Sequence, residues 1–261
     1  TNKDSLFAVN IINEDKSESS SKNAEKLLGE AVNMAAGADA KLNPITRYDN
    51  DVILGISNVV KEQNITDLII GLEEAKGFSS SFTYNLYNGY LRNKEINVII
   101  YHAVQPVATI KKYAVLIPAN AERDPGFFHS LLRVWNIGKN SGAKMSFYAN
   151  DKTTEILKSI LKKANIEAIF NTVTTWQEAQ EAACTLEQDE GLIVLMADRG
   201  MHSYFSQMQN VPEILNKNLN NNNYILIYPF SKMDKTVTEK RAVSNLDDFA
   251  DIGKIIGRIF K

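Results

Sequence analysis

The sequence predicts an α/β protein built on parallel sheets, and three observations carry that reading. The segments Leu68–Ile70, Val98–Tyr101 and Tyr113–Ile117 are continuously apolar rather than alternating, the mark of strands buried on both faces. Segments with helical spacing of apolar residues lie between them, so strands and helices take turns along the chain. An internal repeat is also visible: DLIIG at Asp67 is answered by GLIVL at Gly191, and NVIIYH at Asn97 by NYILIYPF at Asn223. Two similar units in tandem follow from that correspondence.

The elements can be justified in order. Ser5–Ile12 reads as a buried strand, and Glu14–Lys22, polar and Ser-rich, as a solvated loop. Ala24, Leu27, Leu28, Ala31, Val32 and Ala35 share one face of a helix over Asn23–Ala36, which Gly37 should end by turning left-handed. Lys41–Tyr48 is a short strand whose Pro44 suggests an edge. Asp51–Glu62 is an amphipathic helix, Asp67–Leu72 a strand, Ser79–Arg92 a helix and Asn97–His102 a strand.

The second half repeats the grammar. Strands are predicted at Tyr113–Pro118, Lys144–Ala149, Ala168–Asn171, Gly191–Ala197 and Tyr224–Tyr228. Helices fall at Phe127–Asn140, Lys152–Ala164, Thr175–Leu186 and Asn210–Leu219. The boundaries are therefore residues 1–105 for a first unit and 106–230 for a second. Residues 231–261 are expected to form a polar segment followed by an amphipathic helix over Asn245–Lys261, which would dock on its own domain or, as the alternative, contact a partner or a membrane.

The second unit opens with a strand and helix, Tyr113–Asn140, that has no counterpart before Ser5. The first unit thus lacks its opening strand and helix, which implies a longer parent polypeptide. In a doubly wound sheet that strand is central. Ser5–Ile12 and Asp67–Leu72 would lose the neighbour between them, and the gap is expected to close by direct pairing or to be filled by a partner chain.

Composition excludes several functions. With 29 Lys and Arg against 31 Asp and Glu, no basic field invites nucleic acid. The single cysteine, Cys184, cannot form an intrachain disulfide; within its helical pattern it reads as a buried or inert thiol. No apolar run approaches the roughly 18 residues of a membrane span, so this segment is expected to be soluble. His102, His129 and His202 are scattered without metal-ligand spacing, and Trp135 and Trp176 read as packing residues. No nucleophile elbow, zinc helix or Walker loop is present, and no enzymatic activity is expected.

Two loops carry the candidate ligand chemistry. Arg199 and the Ser203 hydroxyl, in Asp198–Arg199–Gly200–Met201–His202–Ser203, could hold an anion at a strand end; the plainer reading is a solvated loop turned by Gly200. In the first unit, Gly77 followed by Ser79, Ser80 and Ser81 could form a small anion nest or merely cap the helix.

The TDLIIG strand, the glycine-bearing loop, the helix and the INVIIY strand resemble the universal stress protein family, across residues 5–105 and 111–230. The junction NVIIYHAVQPVATIKKYAVLIP is similar to that of the paired universal-stress-type domains at the cytoplasmic end of bacterial cation:proton antiporters. The resemblance implies a Rossmann-like fold of the adenine nucleotide alpha hydrolase type. Each unit would have strand order 3-2-1-4-5, with the fifth strands pairing the two units. Nucleotide-binding members carry a loop written G-x-x-G, nine residues, then G-S/T. Here the first unit offers Gly71, then Glu74, Tyr84 and Asn85; the second offers Ala197, Gly200, Asn210 and Val211. Asn120 replaces the family's aspartate after the first strand. Glu73 and Glu74 put negative charge where phosphate would sit, so these departures oppose adenine nucleotide binding.

The resemblance therefore implies a non-catalytic regulatory or assembly domain of a cation:proton antiporter, without a cofactor. It would lie at the cytoplasmic face of the inner membrane, follow a transport domain of the same chain, and assemble as a homodimer. A free-standing universal stress protein binding ATP or AMP is the alternative.

Overall fold

The computed structural model describes residues 6–12, 18–72, 96–164 and 168–230. The helix read at Ser79–Arg92, the loop residues Gly77 and Ser79, and the segment 231–261 lie outside these. The chain divides into two compact units, one holding the described residues up to Ile65 and the other those from Thr66 onward.

The first unit contains β1 (Leu6–Ile12), α1 (Glu18–Gly37), β2 (Leu42–Tyr48) and α2 (Val52–Glu62). β1 and β2 run parallel in a sheet of two, in register from Leu6 opposite Leu42 to Ile12 opposite Tyr48. Pro44 sits within β2, which is an edge strand, as its missing N–H allows. The Asp51 carboxylate starts α2 by accepting from the N–H groups of Ile53 at 2.8 Å and Leu54 at 3.2 Å. Two expectations need correction. Helix α1 begins at Glu18, inside the serine-rich stretch read as loop, because no Gly or Pro there interrupts it. Gly37 remains helical, and Asp39 takes the left-handed conformation with φ 57°, which a short polar side chain tolerates.

The second unit is a seven-stranded sheet. Its strands are β3 (Asp67–Leu72), β4 (Asn97–His102), β5 (Lys112–Leu116), β6 (Lys144–Ala149), β7 (Ile169–Thr172), β8 (Glu190–Leu195) and β9 (Tyr224–Tyr228). Its helices are α3 (Phe127–Ser141), α4 (Asp151–Ala164), α5 (Trp176–Ala183) and α6 (Val211–Asn218). The order is β3-β4-β9-β8-β5-β6-β7, parallel throughout except where β4 meets β9. From β7 through β9 this is the expected 3-2-1-4-5. The expected pairing of the fifth strands, Asn97–His102 with Tyr224–Tyr228, is present.

Direct pairing of the strand at Ser5–Ile12 with Asp67–Leu72 is not found: β1 and β3 belong to different sheets.

Of the strands read as buried, β4, β5, β8 and β9 are so, β9 at every residue; β1 and β3 are not, with Val9 39% and Ile69 64% exposed, since each has a single neighbouring strand among the described residues. One face of the sheet packs on α3 and α4 through Phe127, Leu131, Trp135, Phe147, Leu157 and Ile160. Trp135 lies 5.1 Å from the Phe147 ring, so both tryptophan and phenylalanine serve the core there. Trp176 likewise packs on Phe205, at 5.1 Å. Cys184 is exposed at the end of α5, not buried. Gly126, before α3, admits no larger residue: a Cβ there would lie 2.5 Å from Pro229 Cβ and 2.9 Å from the Phe230 carbonyl oxygen.

Two asparagines tie the β4–β9 pair to the segments that follow each strand. Asn223, wholly buried, accepts through Oδ1 from the N–H groups of Val104 at 2.7 Å and Gln105 at 3.0 Å. Its Nδ2 donates to the Gln105 carbonyl at 2.7 Å and the Tyr101 hydroxyl at 3.2 Å. Asn97 accepts from the Phe230 N–H at 3.2 Å and donates to Asp67 Oδ1 at 3.0 Å. Asp67 is further held by Arg133 of α3, whose Nε and Nη2 donate at 2.8 and 2.7 Å. Burial opposes ionisation of Asp67, but the hydrogen bonds and charge of Arg133, with Thr66 and Asn97, outweigh it and set its pKa below the ordinary 3.8. Burial first, and the nearby Arg133 charge second, push the His129 pKa below 6.5.

These contacts generate two predictions. Replacing Asn223 with Ala leaves the Val104 and Gln105 N–H groups unpaired, and should cost about 2–4 kcal/mol in denaturant unfolding. Both depressed pKa values act on the acid side. The unfolded state takes up protons first, so the His129 contribution is full above pH 6.5 and declines below it, and the Asp67 contribution declines below pH 3.8 as the folded carboxyl titrates. Thermal unfolding followed from about pH 7.5 to about pH 5 should show a shallower loss of stability in His129→Gln than in the parent chain.

Candidate functional site

Open α/β sheets bind ligands beyond the carboxyl ends of their strands, where the strand order reverses. In this sheet β5 lies between β6 and β8, so the reversal is bordered by the loops that follow β5 and β8. The candidates Asn120, Asp198, Arg199, Gly200 and Ser203 all lie in these two loops. Gly71 lies apart, exposed at the end of β3.

Each loop is shaped by one left-handed residue. Asn120, half-buried, takes φ 65° and leads into a helical turn at Ala121–Arg123. Gly200 takes φ 102°, a value suited to glycine, and turns the chain after Asp198. The consequence is that the backbone N–H groups of His202 and Ser203 point back toward the β5 loop.

What they meet is a carboxylate of the protein itself. Asp124, buried, accepts from the His202 N–H at 2.7 Å, from the Ser203 N–H at 3.3 Å and from the Ser203 hydroxyl. The His202 ring places Nδ1 3.4 Å from the same carboxylate. Two backbone amides and a hydroxyl converging on one oxyanion form the geometry with which such loops take phosphate. Here an internal side chain fills it, and Ser203 is committed to Asp124.

The other polar groups are engaged too. Arg199 is exposed; its Nε donates to the Tyr204 hydroxyl at 3.3 Å. With its amide oxygen turned to the guanidinium, Gln209 accepts from Arg199 Nη2 at 2.7 Å and Nε at 2.9 Å. Glu122, buried in the β5 loop, accepts from the Thr153 hydroxyl at 2.9 Å and lies 3.2 Å from Lys152 Nζ. Asp198 is buried after β8; burial first, and then the Asp198 charge, push the Tyr228 pKa upward. Glu122, Asp124 and Asp198 therefore place three buried acidic side chains at the end of the sheet where an incoming phosphate would enter, and their charge repels it.

Sequence reading found the β8 loop and its glycine but missed Asp124, the group that completes the arrangement. The signal available was local: Asp124–Pro125–Gly126 reads as a turn ahead of a helix. Nothing in it shows that the carboxylate reaches a loop 78 residues away. Among the described residues, no group of three or more His, Cys, Asp or Glu is placed to hold a metal ion.

No family model matches the chain, and none of the curated proteins does. Solved structures do. A universal stress protein from Archaeoglobus fulgidus DSM 4304 superposes with a TM-score of 0.52 at 14% identity, over 89% of this chain and 87% of its own. The cytoplasmic domain of a prokaryotic cation chloride cotransporter superposes with a TM-score of 0.58 at 9% identity, over 90% of this chain and 89% of its own. The fold is that of the universal stress proteins. Within this universal-stress-type fold, the loops after β5 and β8 are laced together by Asp124, and the crevice between them is closed by the chain's own carboxylate.

Substituting Asp124 tests that lacing. Asp124→Ala should lower stability by about 1–3 kcal/mol, since it strands the N–H of buried Ser203 and that of the more exposed His202. Ser203→Ala, which removes one of three donors, should cost about 1–2 kcal/mol. Chemical denaturation of the two variants beside the parent measures both.

Proposed function

We propose that this chain is a non-catalytic regulatory or assembly domain on the cytoplasmic side of a cation:proton antiporter. The observation that carries the reading is the occupied crevice: the place where this fold would take a ligand holds Asp124 instead. A domain so sealed has its interfaces left to act with. Likeness in fold to the cytoplasmic domain of a cation chloride cotransporter, over 90% of the chain, supports a role beside a membrane transport domain. Among the described residues no helix is long and apolar enough to cross a membrane, so any transport path would be built by other residues.

In this reading the mechanism is allosteric. The domain follows a transport domain in the same polypeptide and pairs with a second copy. A change at the domain's interface shifts the transport domain between states in proportion to the differential contact energy. Such a domain need not perform chemistry.

Two measurements test the proposal. Adenine nucleotides at millimolar concentration should leave the melting temperature unchanged. A ligand at a hundredfold its Kd would add about 2.7 kcal/mol, and an upward shift of several degrees would favour a free-standing, nucleotide-binding stress protein instead. Deleting these residues from the full polypeptide should change the rate of cation-coupled proton flux in vesicles, or its dependence on pH. Flux unaltered in both respects would overturn the transporter reading.

A further inference from the structure

Helix α3 carries three grips on one stripe. Gly126, His129 and Arg133 are spaced three and then four residues apart, so they stand along one side of the helix and its cap. Gly126 lies against the segment that leaves β9: a Cβ there would meet not only Pro229 and the Phe230 carbonyl but also the Phe230 nitrogen, at 3.1 Å. Its φ of −88° is open to any residue, so space and not conformation calls for glycine. One turn on, the His129 ring meets the Phe230 ring edge-on at 5.1 Å. A further turn on, Arg133 holds Asp67 of β3. Asp67 accepts from Asn97, and Asn97 accepts from the Phe230 N–H. The contacts close a ring, from α3 to β3, to β4, to Phe230 and back to α3.

The head of the same helix is held from its other side. Asp124, two residues before Gly126, is the carboxylate laced to His202 and Ser203 of the β8 loop. The link between the lacing and the helix is short and stiff. Pro125 fixes its own φ. The Asp124 carbonyl accepts from the Phe127 N–H at 3.2 Å, and the Asp124 N–H donates to the Ala121 carbonyl at 3.0 Å. A displacement of Asp124 therefore passes to Gly126. Phe127 and Leu131 key the first turns into the core, 1% and 0% exposed, so the head of α3 moves as one body.

We propose that α3 is a lever that couples the crevice to the point where the chain leaves β9. With Asp124 on the β8 loop, Gly126 and His129 press on Phe230 and keep its N–H on Asn97. Drawing Asp124 off that loop leaves its carboxylate without donors, and a buried charge so stranded turns outward to water. Pro125 and Gly126 go with it, the grip on Phe230 relaxes, and Phe230 parts from Asn97. The state of the crevice is thereby passed to the start of residues 231–261. This inference stands apart from the transporter reading, because all of these contacts lie within one compact unit and would serve a free-standing protein equally.

Amide hydrogen exchange tests the lever from both ends. Asp124→Ala cuts the lacing, and the Phe230 amide should then exchange at least about fivefold faster, although the substitution removes none of the atoms that hold it. Asn97→Ala frees Phe230 directly, and the His202 and Ser203 amides should quicken by a similar factor, because a coupling free energy belongs to both sites equally. In both variants the Val104 and Gln105 amides, held by Asn223 at the other end of the β4–β9 pair, should keep their rates. Ser203→Ala removes one donor to Asp124 and should give the same pattern at lower amplitude, which keeps the test decisive if Asp124→Ala fails to fold. A Phe230 amide that keeps its rate when the lacing is cut would overturn the proposal. Equal acceleration of every amide, Val104 included, would do so too, since the variants would then share only a loss of global stability.

Discussion

The antiparallel contact of β4 with β9 is the constraint on which the larger unit depends. It joins two parallel sets of strands that have no other reason to share a sheet, and it does so at buried strands where unpaired backbone groups would be costly. Asn223 and Asn97 hold it in register. Each sits at the start of its strand, and each accepts an N–H from the segment that leaves the other strand. A one-residue slip would break both sets of contacts and turn every side chain of β4 to the opposite face. The linker between the halves is thus positioned by side-chain hydrogen bonds rather than by its own length.

The crevice at the strand ends shows how a fold can keep a binding geometry and not use it. Gly200 still turns its loop and still aims two amides inward. Asp124 satisfies them from within, at no cost in binding entropy, and the neighbouring buried Glu122 and Asp198 make the site unfavourable for a phosphate. The same contacts lace the β5 loop to the β8 loop. Stability and closure therefore come from one carboxylate, which is why ligand binding and rigidity would compete at this position.

The edge at β3 is the complementary case, a strand with one neighbour, β4, among the described residues. Its Asp67 is fully engaged, by Arg133, Asn97 and Thr66. Two residues on, Ile69 is mostly exposed.

Much of this was legible in the sequence, for physical reasons that differ by feature. Uninterrupted apolar runs such as Tyr224–Tyr228 declared buried strands, because only a strand covered on both faces keeps such a run out of water. Asp51 declared the start of a helix. Local signals were weaker where several residues could serve, so the left-handed turn went to Asp39 instead of Gly37 and α1 began early, at Glu18. Tertiary structure alone decided that Asn223 reaches back to Val104 and that Asp124 fills the loop around Ser203. Those contacts join residues far apart in the chain. A hydrogen bond between distant residues depends on where the sheet carries them, and side-chain chemistry read along the sequence holds no record of that distance.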